Sequence, residues 1–245
     1  MRSPVWFSVL TVLSVVPAVH PAIALDEQEH WQQTIERAYE QSVQDAAQTE
    51  AHEIAPLTPL VQGNNQSIWR EINGEPHVLL VTWTNWDGYD ALQGQTTTLG
   101  RETWTTPVPT VQDKIKTIQP SADILTLRLE QLLGLPPNNG KTKWVELWVK
   151  PADIFRPCPD VEITDDRCGL YFPSDASPEH KAWFVNLSLS SYGDRGYPWT
   201  RLGYTYDWGA LGTEVGANEL VIKAGAEVVV NQVQPNAAYF ELPNP

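Results

Sequence analysis

Ser67-Ile-Trp-Arg-Glu-Ile-Asn-Gly-Glu-Pro-His-Val-Leu-Leu-Val-Thr-Trp-Thr84 decides the class of this fold. Asn73-Gly74 is the pair that turns a tight hairpin, because both residues tolerate the positive φ that a type I′ turn demands. Aromatic and β-branched residues stand on either side of it. His77–Thr84 is too continuously apolar for a strand with one wet face, so it belongs in the middle of a sheet.

Further along, the pattern repeats. Thr96–Thr106 alternates around Leu99 and Trp104, and Pro107 and Pro109 break it. Lys143–Val149 places Trp144, Glu146 and Trp148 on one face and Val145, Leu147 and Val149 on the other. Glu219–Ile222 and Glu227–Val230, joined by Lys223-Ala-Gly-Ala226, read as a second hairpin. Pro198–Trp208 reads as a strand dense in aromatics.

Helical signals are fewer. Val111–Ile118 reads as a short helix. Ser121–Gly134 is strongly apolar, with Ser121 as N-cap and Gly134-Leu-Pro-Pro137 as its stop. Ser177-Pro-Glu-His180 is a helix start, with a cap, a proline in the first turn and an acid beside it; that helix ends near Tyr192-Gly193. Hairpin-joined strands outnumber helices, which makes the expected fold α+β, a mostly antiparallel sheet with two or three packed helices.

Ahead of this domain, 67–245, stand three segments. Residues 1–24 read as a cleaved secretory signal peptide: Arg2, an apolar run from Val5 to Val16, then Ala22-Ile-Ala24 as a small-residue cleavage site. The run is shorter than the roughly 20 residues a spanning helix needs. No cysteine near the cut suggests a lipoprotein. Residues 25–55 read as a helical arm, with Trp31, Ile35, Ala38, Tyr39, Ser42, Val43 and Ala46 at three- and four-residue spacing. Pro56 and Pro59 open a linker, 56–66.

Composition then narrows the function. A net charge of −14 disfavours nucleic acid and anionic lipid surfaces as partners. No segment beyond residue 24 is apolar enough to span a membrane. Cys158 and Cys168 are the only cysteines, and an oxidising compartment makes them a disulfide that clips a short loop, secreted or periplasmic in setting. No histidine pair has metal-ligand spacing. Asp160, Glu162, Asp165 and Asp166 lack the glycine and terminal glutamate of a calcium loop, so neither metal nor cofactor is expected.

Chemistry concentrates in Trp199-Thr-Arg-Leu-Gly-Tyr-Thr-Tyr-Asp-Trp208. On a regular strand, Tyr204, Tyr206 and Trp208 share a face, while Arg201, Thr205 and Asp207 share the other. Trp199, Tyr204, Tyr206 and Trp208 are therefore the expected ligand-binding residues. His180, Arg201, Asp207 and Glu219 are the candidates for catalysis. Glu146 with Asp207 would suit glycoside cleavage if they faced each other. Asn65-Gln-Ser67 and Asn186-Leu-Ser188 are glycosylation sequons.

Glu219-Leu-Val-Ile followed by Ala-Gly-Ala-x-Val-x-Val resembles, over about a dozen residues, the catalytic-glutamate strand of mono-ADP-ribosyltransferases. That resemblance implies an arginine on an early strand and a Ser-Thr-Ser strand; Arg156 and Ser188-Leu-Ser190-Ser191 are the stand-ins, the serines lying in an expected helix. The leading expectation is an exported binding or accessory protein of the cell envelope or extracellular space, its ligand a small molecule, a glycan or an envelope protein. A secreted hydrolase or transferase is the second, and an interaction module acting through helix 25–55 the third.

Overall fold

The computed structural model describes residues 21–241, with side chains from Glu27 onward. The expected leader, 1–24, lies outside these residues except where helix α1 (Pro21–Ala46) begins. The chain divides between Ile35 and Glu36, inside α1, into two units. The first is described only through the opening half of α1. In the second, the far half of α1 buries Tyr39, Ser42, Val43 and Ala46.

The hairpin forms as expected: β1 (Trp69–Ile72) pairs antiparallel with β2 (Glu75–Thr84), and Asn73 and Gly74 both take positive φ, 53° and 80°. β2 is central. β5 (Lys143–Val149) lies along one edge from Val78 to Thr84; on the other edge β1 gives way to β4 (Thr103–Pro107). Beyond β5 comes β10 (Glu227–Pro235), then β3 (Thr96–Thr98); beyond β4 comes β9 (Leu220–Ile222), then the short β6 (Ile154–Phe155). Every pairing is antiparallel. The fold is α+β.

Residues 219–230 are not the hairpin expected. Thr105↔Leu220 and Thr103↔Ile222 continue in one register into Thr98↔Glu227 and Thr96↔Val229, with Leu99 bonded to Ala226 and Gly225 between them. β9 and β10 are thus two halves of one strand, interrupted by the turn at Lys223–Ala226, lying against an equally interrupted β3–β4. Glycine at a φ of 83° let the turn be read as a reversal; the long-range partner makes it a kink. As a result, following the ladder through β10, β5 and β2 returns to segment 96–107, and the sheet closes on itself.

Side-chain alternation then sorts the core. Val78, Leu80, Val145, Leu147, Val149, Leu220, Ile222, Val228 and Val230 fill the inside. Leu79, Val81, Trp83, Trp144 and Trp148 point outward and are covered by α2 (Thr110–Ile118) and α3 (Leu125–Leu132), with Tyr239 of α5 (Asn236–Tyr239) alongside. Ser121 precedes only a 310 turn, Ala122–Ile124, without a side-chain capping bond, and α3 starts later than expected. α4 (Pro178–Ser191) starts as expected: the Ser177 hydroxyl accepts from the His180 N–H at 3.1 Å.

A third cluster gathers Leu57, Leu202 and Tyr204 under the Cys158–Cys168 disulfide, which is present. No helix among the described residues is long and apolar enough to cross a membrane.

Candidate functional site

The outward face of the closed sheet is not fully covered. Between the ends of α3 and α4 and the loop 84–103, a cleft of about 1290 Å³ opens onto it. Alternation supplies its floor: Trp83 of β2, Trp104 and Thr106 of β4, and Trp144 of β5 all face it. Glu219 lies between β8 (Val215–Asn218) and β9, and its backbone N–H donates to Gly203 O at 2.9 Å. Val81 pairs with Thr106, and Glu219 is next in register opposite Thr106 after Thr105↔Leu220. Val81, Thr106 and Glu219 therefore form a row across the strands on the cleft side.

Four buried side-chain polar atoms among the described residues have no hydrogen-bond partner. Three of them, Thr106 Oγ1, Trp144 Nε1 and Glu219 Oε2, belong to residues lining this cleft; the fourth, Gln112 Oε1, does not. Native interiors satisfy such atoms almost without exception, and each orphan costs about 1–3 kcal/mol. Burial alone pushes the Glu219 carboxyl up to about 8. The Trp144 ring is held fast, stacked between Trp83 and Tyr239 at 5.6 and 5.2 Å. Lys141, also in the lining, donates from Nζ to Trp83 O at 2.9 Å, and burial lowers its pKa.

The stretch 199–208 folds otherwise than as a regular strand. Only β7 (Tyr204–Tyr206) is strand; Trp199 and Thr205 bridge across a tight loop. Thr200 Oγ1 accepts from the Leu202 N–H and donates to Tyr204 O, and Arg201 and Gly203 take φ of 63° and 78°. The positive φ is what favours glycine at 203; a Cβ there would also displace the end of the Leu57 side chain, 2.9 Å away.

The reversal separates residues that alternation had joined. Arg201 does not pair with Asp207. It bonds Thr49 Oγ1 and the carbonyls of Ala46 and Ala47, and lies over the Tyr192 ring. Asp207 takes Arg128 through both oxygens, at 2.8 and 2.5 Å. Glu146 faces Tyr239 and Asn231, away from Asp207.

The remaining expected residues divide. His180 Nε2 contacts Cys158 O at 2.7 Å and its ring stacks on Trp183. Glu219 is the one catalytic candidate of the four that lines the cleft. Trp199 and Tyr206 line it too; Trp199 is buried and donates to Pro157 O at 3.0 Å. Tyr204 is buried, its hydroxyl donating to Glu53 O. Trp208 packs edge-on against Tyr39 and donates to Leu135 O.

Nor do the residues of the transferase resemblance converge. Arg156 is buried against Asp165, Thr58 O and Ile163 O beneath the disulfide loop, and Ser188, Ser190 and Ser191 bond carbonyls of their own helix. Thr106, Trp144, Trp83 and Trp104 were not singled out from sequence. Alternation shows that Trp104 shares a face with Thr106, but nothing in one strand says which face stays open.

Set against family models, curated proteins and solved structures, the chain matches none of them.

Proposed function

We propose that this protein is an exported binding protein that takes a small organic ligand or a glycan unit in the cleft over Trp83, Trp104, Thr106, Trp144 and Glu219. One observation carries the reading: three orphaned polar groups belong to residues lining one aromatic-walled cleft. Binding sites are mostly apolar concavities with a few polar groups that fix orientation. Trp86 and Tyr197 stand exposed at its rim, where aromatic rings serve as platforms for a ligand's apolar face. Export is supported by the leader-like sequence at 1–24 and by the disulfide.

Binding is favoured over catalysis because His180, Arg201 and Asp207 are occupied elsewhere in the fold, which leaves Glu219 without the second group a hydrolase or transferase needs. The test is a thermal-shift panel of mono- and disaccharides, amino acids and organic amines, run on the wild type and on Ser190→Trp. Ser190 is an exposed residue of the cleft wall, so an indole there narrows the cleft without touching the core. At least one class should raise the wild-type melting temperature and raise the variant's less. A panel without effect, or equal shifts in both proteins, overturns the reading.

A further inference from the structure

Among the described residues, the other buried acids are compensated. Asp207 has Arg128, Glu146 has the Tyr239 hydroxyl and the Asn231 amide, and Glu130 has the backbone and side-chain N–H groups of Asn139. Glu219 has a buried, unpartnered carboxylate oxygen, and it shares its cleft with the rings of Trp83, Trp104, Trp144 and Tyr206 and with the unpartnered Thr106 hydroxyl. What such a group lacks is a cation. Aromatic faces attract cations as well, most strongly when desolvated.

We infer that the cleft takes an organic ammonium ligand, its charged nitrogen against Glu219 and its alkyl groups on the surrounding rings. This rests on the cleft being the ligand site, and adds the class of ligand. The Thr106 hydroxyl, beside Glu219 in the cross-strand row, accepts from an ammonium N–H or orients a substituent. The surplus of acidic residues over the whole chain draws cations toward the protein.

The charged and titratable groups of the cleft and of the elements packed around it make no hydrogen bond or ion pair with Glu219 Oε2. From the segment before β5, Lys141 is committed to Trp83 O. From the loop before β4, Arg101 is exposed and Glu102 accepts from the Trp183 indole N–H; from the 310 turn after β2, Asp87 pairs with Lys143. After α4, Tyr192 donates to Trp199 O, Arg195 is exposed, and Arg201 is held over Tyr192. From β7, the Tyr206 hydroxyl donates to Asp45. Tyr89 and Tyr197 complete the phenols of the lining.

The ligand needs Glu219 ionised, and below about pH 8 that means displacing its proton. Affinity therefore rises about tenfold per pH unit up to about 8 and levels off above, and binding at pH 7 releases close to one proton.

The experiment is titration calorimetry with choline, n-butylammonium and spermidine. Each is run at pH 6, 7 and 8.5 in buffers of different ionisation enthalpy. The neutral carbon isostere of choline, 3,3-dimethylbutan-1-ol, and cellobiose serve as uncharged probes. The expected result is an amine that binds at least tenfold tighter than its neutral counterpart at pH 8.5, with proton release at pH 7, and loses both features in Glu219→Gln. Gln is isosteric with the protonated acid, and a circular-dichroism melt checks its fold; Thr106→Val provides a second variant that should weaken binding without changing proton release. Failure of all three amines to bind overturns the inference, as does equal binding of the isostere. If cellobiose or another uncharged probe binds while the amines do not, the cleft stands and only the ligand class falls. If nothing binds at all, both fall.

Discussion

Replacing Glu219 by Gln should make the protein more stable at pH 8.5 and change almost nothing at pH 4. Burial raises the folded-state carboxyl from an ordinary 4.5 to about 8. Between those values the folded chain holds a proton that the unfolded chain has released. The favourable contribution is fully present below about pH 4.5 and is lost as pH rises to about 8. A span of about 3.5 pH units at about 1.4 kcal/mol each comes to roughly 4–5 kcal/mol, to order of magnitude. Gln keeps the shape of the protonated acid and has no proton to lose. Urea unfolding of both proteins, disulfide intact, at half-unit steps from pH 4 to 9 isolates the effect, because every other titrating group cancels in the difference. That difference should be near zero at pH 4, grow with a slope of about 1.4 kcal/mol per unit, and flatten near pH 8. A difference that stays flat throughout would show Glu219 to be solvated and would remove the physical basis of the site.

Asp207→Ala should cost about 3–5 kcal/mol, because Arg128 and the half-buried Lys114 beside it are left without their anion; calorimetry should show a melting temperature lower by about 6–20 °C, and a loss below 1 kcal/mol would mean the pair is solvated. Removing the disulfide by Cys158→Ala with Cys168→Ala should cost about 3 kcal/mol by chain entropy, measured in denaturant, and should leave ligand binding in the cleft unchanged, since neither cysteine lines it. Ser177→Ala should cost about 1 kcal/mol by loss of the cap on α4, with Ser177→Gly losing less; equal stability of all three proteins would refute the cap.

Local chemistry was legible in the sequence wherever neighbours in the chain decide the outcome. Asn73-Gly74 turns the hairpin that its two φ values demand, Ser177-Pro178 starts α4, and the two cysteines are bonded. For the last strands, partners more than a hundred residues away decided the outcome. The turn at Lys223–Ala226 looks the same in a hairpin and in a kinked strand, and only the register against 96–105 separates them. In 199–208 the cause is local: Gly203 reads as a possible bulge, but the full turn that Thr200 and Gly203 make is more than a bulge and parts Arg201 from Asp207. Glu219 was noticed as a residue type; its lack of a partner is a property of three segments meeting, and no one of them records it.

The interrupted strand also orders events in time. Its second half, Glu227–Pro235, bonds both Thr96–Thr98 and Lys143–Trp148, so the ring of strands cannot shut until that half has met both of these earlier segments. Contacts of such long range are entropically costly to form early. By that reasoning the ring shuts after the local hairpin at Asn73-Gly74 has turned, and residues 227–235 are the segment that locks it.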